Sequence, residues 1–401
     1  MRTTWTFNTA GQLLFGNEAV AQLGDVARKL KIGRVFVVTD RVLVKAGIVD
    51  RVSKPLVEAG VAVEIFEGGV PEPPIAVAEE CIEVARRFHP DAILGRGGGS
   101  NMDLAKIAAV VLTHGGSPRD YVGEEQIPGP IMPVICVPTT AGTGSEVSGS
   151  SILTDAERNM KVGILSNYLR PRVAVVDPLL TLSCPAKVTA DSGIDALTHA
   201  IEAYTAVDNE VFPLPPGERT TYQGRHPMGD MIAEKAIALV GRHLRTAVAN
   251  GQDLPAREAM ALGATLGGMA FSNVGVAVVH ALEYPLGGEV HCSHGEGNGL
   301  LLPFVMRFNL PARVPQFARI AALLGENVSG LSEIAAAERA IVAVEKLKTD
   351  IGIPERLRDL GVTESHLPVF AEKAFAVKRI LRVNPRQVTV QDLEGILRSA
   401  L

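Results

Sequence analysis

Apolar residues in the first part of the chain fall into short unbroken runs that end in turn-forming residues. Val35–Thr39 ends at Asp40, and Val61–Phe66 ends at Glu67-Gly68-Gly69. Ala92–Leu94 leads into Gly95–Ser100, Val134–Val137 into Pro138-Thr139-Thr140, and Val173–Val176 into Asp177-Pro178. Between these runs the apolar period lengthens to that of a helix, as in Ile75–Phe88 and Asn101–Leu112. Strand and helix in alternation predict parallel strands with right-handed crossovers, hence an α/β domain. Strands that are apolar on every position predict a sheet covered on both faces. After Pro185 helical periods dominate. Two domains are therefore expected: an α/β domain over residues 1–185 and an all-α domain over residues 186–401. Residues 208–230 are rich in Pro and Gly and read as a long surface loop.

Between Glu258 and Glu283 there is no Asp, Glu, Lys or Arg. A membrane span is one reading of such a run. Gly263, Gly267, Gly268 and the Ser272-Asn273 pair before Gly275 favour two shorter buried helices with a break between them.

Composition adds limits. The chain has 401 residues with 47% hydrophobic positions, enough for more than one core. A formal net charge of −5 supplies no electrostatic reason for a nucleic-acid or anionic-membrane partner. Cys81, Cys136, Cys184 and Cys292 form no CxxC pair, which fits a reducing compartment. The opening MRTTWTFNTAGQLLFG has neither the apolar core of a secretory signal nor the Arg-rich pattern of a transit peptide. A cytoplasmic protein is expected, assembled as a homodimer or larger homo-oligomer.

Two loops carry candidate cofactor chemistry. Gly97, Gly98, Gly99 and Ser100 follow a strand and open a helix. The glycines let backbone approach a pyrophosphate, and Ser100 can cap a helix whose first amides favour an anion. A tight strand-to-helix turn is the alternative for this motif alone. Thr139, Thr140, Thr143 and Ser145 form a second small, polar turn after another strand. Two such loops at strand C-termini are where open α/β sheets hold dinucleotides. Asp40, at the end of an earlier strand, can accept from a ribose 2′-hydroxyl and so favours NAD over NADP. Arg41 beside it keeps NADP open.

A metal is the second candidate. Asp195 and His199 are four apart on a predicted helix, Thr189–Tyr204, and share a face. A hydrogen-bonded surface pair would have the same spacing. His280 ends the charge-free stretch, where a satisfied core histidine is the alternative. His294 lies in CSHGEGNG, with His291 as a competitor. A carboxylate with three imidazoles and no thiolate suits Fe(II), Zn(II), Mn or Ni.

Taken in order, GGGSNMDLAK, PTTAGTGSEV, DALTHAIEAY, VHALEYPLG, HGEGN and the NPR-x-VT-x-DL ending resemble the iron-containing (group III) alcohol dehydrogenase family along nearly the whole chain. The resemblance implies an N-terminal dinucleotide-binding domain, a helical C-terminal domain and a site in the cleft between them. It implies Asp195, His199, His280 and His294 as ligands of a divalent metal, Fe(II) or else Zn(II). It implies Gly97–Ser100 with Asp103 as the pyrophosphate loop, Thr139, Thr140, Thr143 and Ser145 as the second loop, and Lys161 near the cofactor. The implied reaction is NAD(P)-dependent alcohol oxidation or carbonyl reduction, the metal polarising the substrate oxygen during hydride transfer. The expected partner is a small alcohol, aldehyde or hydroxyacid.

Four positions depart from the family pattern. Tyr284 stands where relatives such as lactaldehyde reductase carry a histidine, and it becomes the candidate proton relay. Glu72 and Ser150 replace asparagines, and Glu296 replaces a small apolar residue. Tyr284 and the 208–230 segment resemble the hydroxyacid–oxoacid transhydrogenase branch. A dehydroquinate-synthase-like lyase would need more Lys and Arg around the ligand-bearing segments. A glycerol-dehydrogenase-like site would need three ligands where four candidates are present. A noncatalytic regulator would be expected to have lost part of the set.

Overall fold

The computed structural model describes residues 2–157 and 160–401. Among the described residues the strands are β1 (Leu13–Phe15), β2 (Arg34–Val38), β3 (Ala62–Phe66), β4 (Ala92–Gly97), β5 (Gly123–Glu124), β6 (Val134–Pro138), β7 (Ser150–Asp155), β8 (Met160–Leu165) and β9 (Val173–Val176). The helices among them are α1 (Leu23–Leu30), α2 (Arg41–Lys45), α3 (Ile48–Glu58), α4 (Ile75–Phe88) and α5 (Gly99–His114). From Ala186 on, the elements are α6 (Ala186–Thr205), α7 (Pro227–Ala249), α8 (Leu254–Val274), α9 (Val278–Val290), α10 (His294–Asn309), α11 (Val314–Leu323), α12 (Glu333–Asp350), α13 (Leu367–Ala376), α14 (Lys378–Leu381) and α15 (Val390–Ala400). Among the described residues no strand follows Val176.

Six strands form one parallel sheet in the order β1-β9-β6-β4-β2-β3. Alternate residues of each strand feed cores on opposite faces. Val35, Val37, Leu94, Ile135 and Val137 pack on one side, and Phe36, Val38, Ile93 and Cys136 on the other. This is why the strands read as unbroken apolar runs. The chain moves outward from β2 to β3 and then returns past β2 to β4. The topology therefore reverses between β2 and β4, and their C-terminal ends frame the crevice where such sheets hold ligands. Asp40 follows β2, and the Gly97–Ser100 loop follows β4.

A second, three-stranded sheet, β5-β8-β7, was not foreseen. Its antiparallel pair, β7 and β8, has the broken apolar pattern of a half-covered hairpin, with Ser150 opposite Leu165 and Thr154 opposite Lys161.

The helical part has one large core built from α6 through α15. The charge-free stretch forms the end of α8 and the start of α9, which meet at 105° around Gly275. Among the described residues no single helix is long and apolar enough to cross a membrane. The 208–230 segment departs from the surface-loop expectation. It does lack long regular structure, but Asn209, Phe212, Thr221, Tyr222 and His226 are buried, because its few apolar and aromatic side chains insert into the helical core.

Candidate active site

A cleft of about 180 Å³ lies where the sheet part meets the helices. Ser100, Asp103, Thr143, Ser145, Ser150 and Lys161 line one wall, and Asp195, His199, His280, Tyr284 and His294 the other.

Helix α6 is straight through Asp195 and His199, and both point from its buried face. His280 sits in the first turn of α9, and His294 is the first residue of α10. The helices can meet because Gly295 has no side chain. A Cβ there would fall 2.0 Å from the Asp191 carbonyl on α6. The result is convergence: the Nε2 atoms of His280, His199 and His294 lie 3.8, 3.9 and 4.0 Å from Asp195 Oδ1. Nitrogen and oxygen ligands held tetrahedrally at about 2.0–2.2 Å from one ion would stand roughly 3.3–3.6 Å apart, slightly closer than these atoms do. Asp195, His280 and His294 are the tightest group, their ligand atoms all within 4.8 Å of one another. His199 stands at its edge, stacked on His280 and Phe271. His291 is excluded: it caps the C-terminus of α9 with φ 55° and is exposed.

Three residues that sequence reasoning did not single out complete the site. Glu202 accepts from the backbone N–H groups of Ala277 and Val279, at 2.9 and 2.7 Å, and lies 2.6 Å from His280 Nδ1. It thus holds the start of α9 and one imidazole together. Glu283 is fully buried and stands 2.6 Å from His294 Nδ1. A carboxylate on Nδ1 leaves Nε2 with its lone pair toward the cluster. Asn298 donates from Nδ2 to Asp195 at 2.8 Å, and that nitrogen is 3.2 Å from Nε2 of both His280 and His294. Converging lone pairs, two oriented by carboxylates, are the donor set a divalent metal needs, so these residues fit the group.

The electrostatics agree. Burial opposes ionisation of Asp195, but the imidazoles of His199, His294 and His280 outweigh it and hold the carboxyl below its ordinary value. Burial pulls the His199 pKa down to about 3, so its ring is neutral. Glu283 is buried too, yet His294 and Lys161 bring it down to about 2.

On the sheet wall the two loops lie against each other. The Thr139 N–H donates to the Gly97 carbonyl at 3.0 Å, and a Cβ on Gly99 would meet Thr143 Cγ2 at 2.9 Å. Gly98, rather than Ser100, is the N-cap of α5. Ser100 lies two residues beyond the cap, inside the first turn, and its Oγ accepts from the Glu72 N–H at 3.2 Å. Ser145 and Asp103 bond each other at 2.7 Å, and buried Lys106 reaches Ser145 and the carbonyls of Ser148 and Ser150. Asp103 also accepts from the Ile152 N–H, so this group pins the second sheet to α5. Thr140 is half-buried, its Oγ1 3.9 Å from where a Cβ on Gly98 would stand. Asp40 caps α2 through Leu43 and accepts from Asn101 at 2.8 Å.

Lys161 bridges the walls, 2.7 Å from Glu72 and 3.0 Å from Glu283. Glu296 does not enter the cleft and pairs with Lys187 at 2.7 Å. Tyr284, one turn after His280, faces the cleft, and its hydroxyl accepts from Arg379 at 3.4 Å.

A profile described as iron-containing alcohol dehydrogenase matches residues 10–178, and one described as Fe-containing alcohol dehydrogenase family, C-terminal, matches residues 218–401. The chain is 39% identical over 388 residues to the NAD-dependent methanol dehydrogenase of Bacillus methanolicus, covering 97% of each chain. It is 42% identical over 388 residues to the 1,3-propanediol dehydrogenase of Klebsiella pneumoniae, covering 96% of each. A crystal structure of 1,3-propanediol oxidoreductase has a TM-score of 0.93 at 40% identity, covering 99% of this chain and 100% of that one. Agreement over almost the full length, in sequence and in backbone, leads to one conclusion: the chain belongs to the iron-containing alcohol dehydrogenase family and is an enzyme of its alcohol dehydrogenase or aldehyde reductase type.

Proposed function

We propose that this enzyme interconverts small alcohols and their aldehydes or ketones with NAD, around a divalent metal held by Asp195, His199, His280 and His294. The observation that carries the reading is the convergence of three imidazole Nε2 atoms on one Asp195 oxygen at 3.8–4.0 Å. Iron is the metal of the family's name, and an N/O site of this kind also takes zinc. When bound, the metal supplies Lewis-acid polarisation of a substrate oxygen, and the dinucleotide supplies hydride chemistry.

The chain's own residues do the rest. Glu202 and Glu283 fix the His280 and His294 rings. The Gly97–Ser100 loop, at the reversal between β2 and β4, offers the first amides of α5 to a pyrophosphate. Thr139, Thr140 and Thr143 border the same crevice, and Asp103 and Ser145 fix its floor. Asp40 keeps lone pairs available for a ribose hydroxyl, which favours NAD over NADP. Lys161 ties the walls together beside the reacting end. Tyr284 passes the proton between the substrate oxygen and solvent. With these roles goes the division into residues 1–185 for the cofactor and 186–401 for the metal, in a cytoplasmic homo-oligomer.

The test is metal analysis of the purified protein together with NADH oxidation on an aldehyde panel. His280→Ala should lose both metal and turnover while keeping the far-ultraviolet dichroism of the parent. Metal and turnover retained in that variant would remove the site assignment. Tyr284 in place of the usual histidine favours a second reading, hydroxyacid–oxoacid transhydrogenase. That reading predicts that NADH is recycled in place with paired hydroxy- and oxoacids rather than released.

A further inference from the structure

The cleft holds one cation that the proposed reaction does not use. Arg379, in the short helix α14, lines the same cleft as His280, His294 and Tyr284. Among the described residues its side chain makes one hydrogen bond, to the Tyr284 hydroxyl at 3.4 Å, and it has no carboxylate within 4.0 Å. Glu124 acts on it electrostatically from beyond ion-pair distance and is already bound to Arg382, which also takes Glu218. The other cation of the cleft, Lys161, is held between Glu72 and Glu283. Room for the guanidinium is built into β8: a Cβ on Gly163 would lie 2.8 Å from Arg379 Nη2.

Its surroundings hold the guanidinium in its charged form with no carboxylate in direct contact, and its planar fork matches an oxyanion at two points. Tyr284, which it touches, lies one turn beyond His280, about 6 Å along the helix axis. Arg379 and the proposed metal ligands line one small cleft, so a single short substrate can face both.

We propose that Arg379 is a specificity-determining residue that anchors a remote anionic group of the substrate, so that the enzyme prefers short ω-oxo acids and their ω-hydroxy counterparts over neutral aldehydes and alcohols. This rests on the oxidoreductase reading of the cleft and names its substrate class. The anion takes no part in bond making. The carbonyl carbon gains a hydride from NADH, its oxygen gains a proton, and NAD+ and the hydroxy acid leave with the carboxylate unchanged.

The test uses the metal-loaded enzyme and compares kcat/KM for ω-oxo-carboxylates of three to five carbons with unbranched aldehydes of the same length. An ω-sulfonate series forms a third arm. Hydrogen bonds to charged groups predict that the carboxylates are preferred by about 10- to 100-fold. Arg379→Met should bring that ratio close to one, chiefly by raising KM for the acids, and Arg379→Lys should recover part of it. Sulfonates preferred as strongly as carboxylates would support the anchor and assign it to both anions. A parent enzyme with no preference for the acids overturns the inference, and so does an unchanged ratio in Arg379→Met. If that variant does not fold, the ratio measured on the parent decides. Turnover of neutral aldehydes without acid preference sinks this inference alone, whereas no turnover with any aldehyde sinks the functional reading as well.

Discussion

Glu202 shows how much of a metal site lies outside its ligands. Its two oxygens take two backbone N–H groups at the start of α9 and the Nδ1 of His280. Replacing it by Gln keeps the size but changes an acceptor into a donor on one side. Loss of such an outer partner commonly weakens metal binding by about 10- to 100-fold. Glu202→Gln should show that loss in competition with a chromogenic chelator, and an unchanged dissociation constant would reduce Glu202 to a helix cap. The residue was legible in principle. It is three positions after His199 and seven after Asp195, on the same face of α6. Asn298, four after His294, and Glu283, three after His280, follow the same rule. What the spacing does not reveal is which ring each carboxylate meets, because that depends on how α6, α9 and α10 cross. Arg379 was beyond reach for the same reason, since its segment is far from the motifs and joins the cleft only through tertiary packing.

Whole elements were easier to read than their contacts. Five of the six strands of the main sheet and the helices Ile75–Phe88 and Thr189–Tyr204 follow from apolar period alone, whereas the edge strand β1, only three residues long, was missed. The break at Gly275 follows from turn chemistry. The β7–β8 hairpin was missed because Ser150–Asp155 has only two apolar residues, Ile152 and Leu153, flanked by polar ones, a weak signal beside the solid runs of the main sheet. Helix α12 carries a prediction of its own. Lys348 is buried against Phe304 and donates to the Glu355 carbonyl at 3.0 Å. Burial pulls its pKa from 10.5 down to about 8. The unfolded chain then holds one more proton between these values, so stability rises with pH across that window. Below it the burial penalty is complete, on the order of 3 kcal/mol. Lys348→Met should be more stable than the parent at neutral pH, and the gap should close as pH passes from 8 to 10.5. A gap in urea midpoint that stays constant with pH would contradict this account. At α10, Gly295→Ala should push the helix off α6 and lower metal content before it lowers helicity, because the new Cβ lands 2.0 Å from the Asp191 carbonyl.

At the scale of the molecule, the four proposed ligands come from α6, α9 and α10, all in the helical part, while both candidate cofactor loops belong to the sheet. Lys161 ties the two parts across the cleft through Glu283, and Glu124 does so elsewhere through Arg382. Metal loading should therefore slow amide exchange in α6, α9 and α10, and leave the strands of the main sheet nearly unchanged. NAD should act the other way, protecting the loops after β4 and β6. Mass spectrometry of exchanged fragments distinguishes the two patterns. Uniform protection by the metal would mean that the two parts open as one unit.

The order of the ligands along the chain has a consequence of its own. His199 and His280 are 81 positions apart (280 − 199), and a shared ion would join them with no covalent bond. Such a join is a removable cross-link, and it restricts the unfolded chain as a bridge closing a long loop does. Chelation should then act on this cysteine-poor protein much as reduction acts on a disulfide-bonded one, loosening a long span of chain without cutting it.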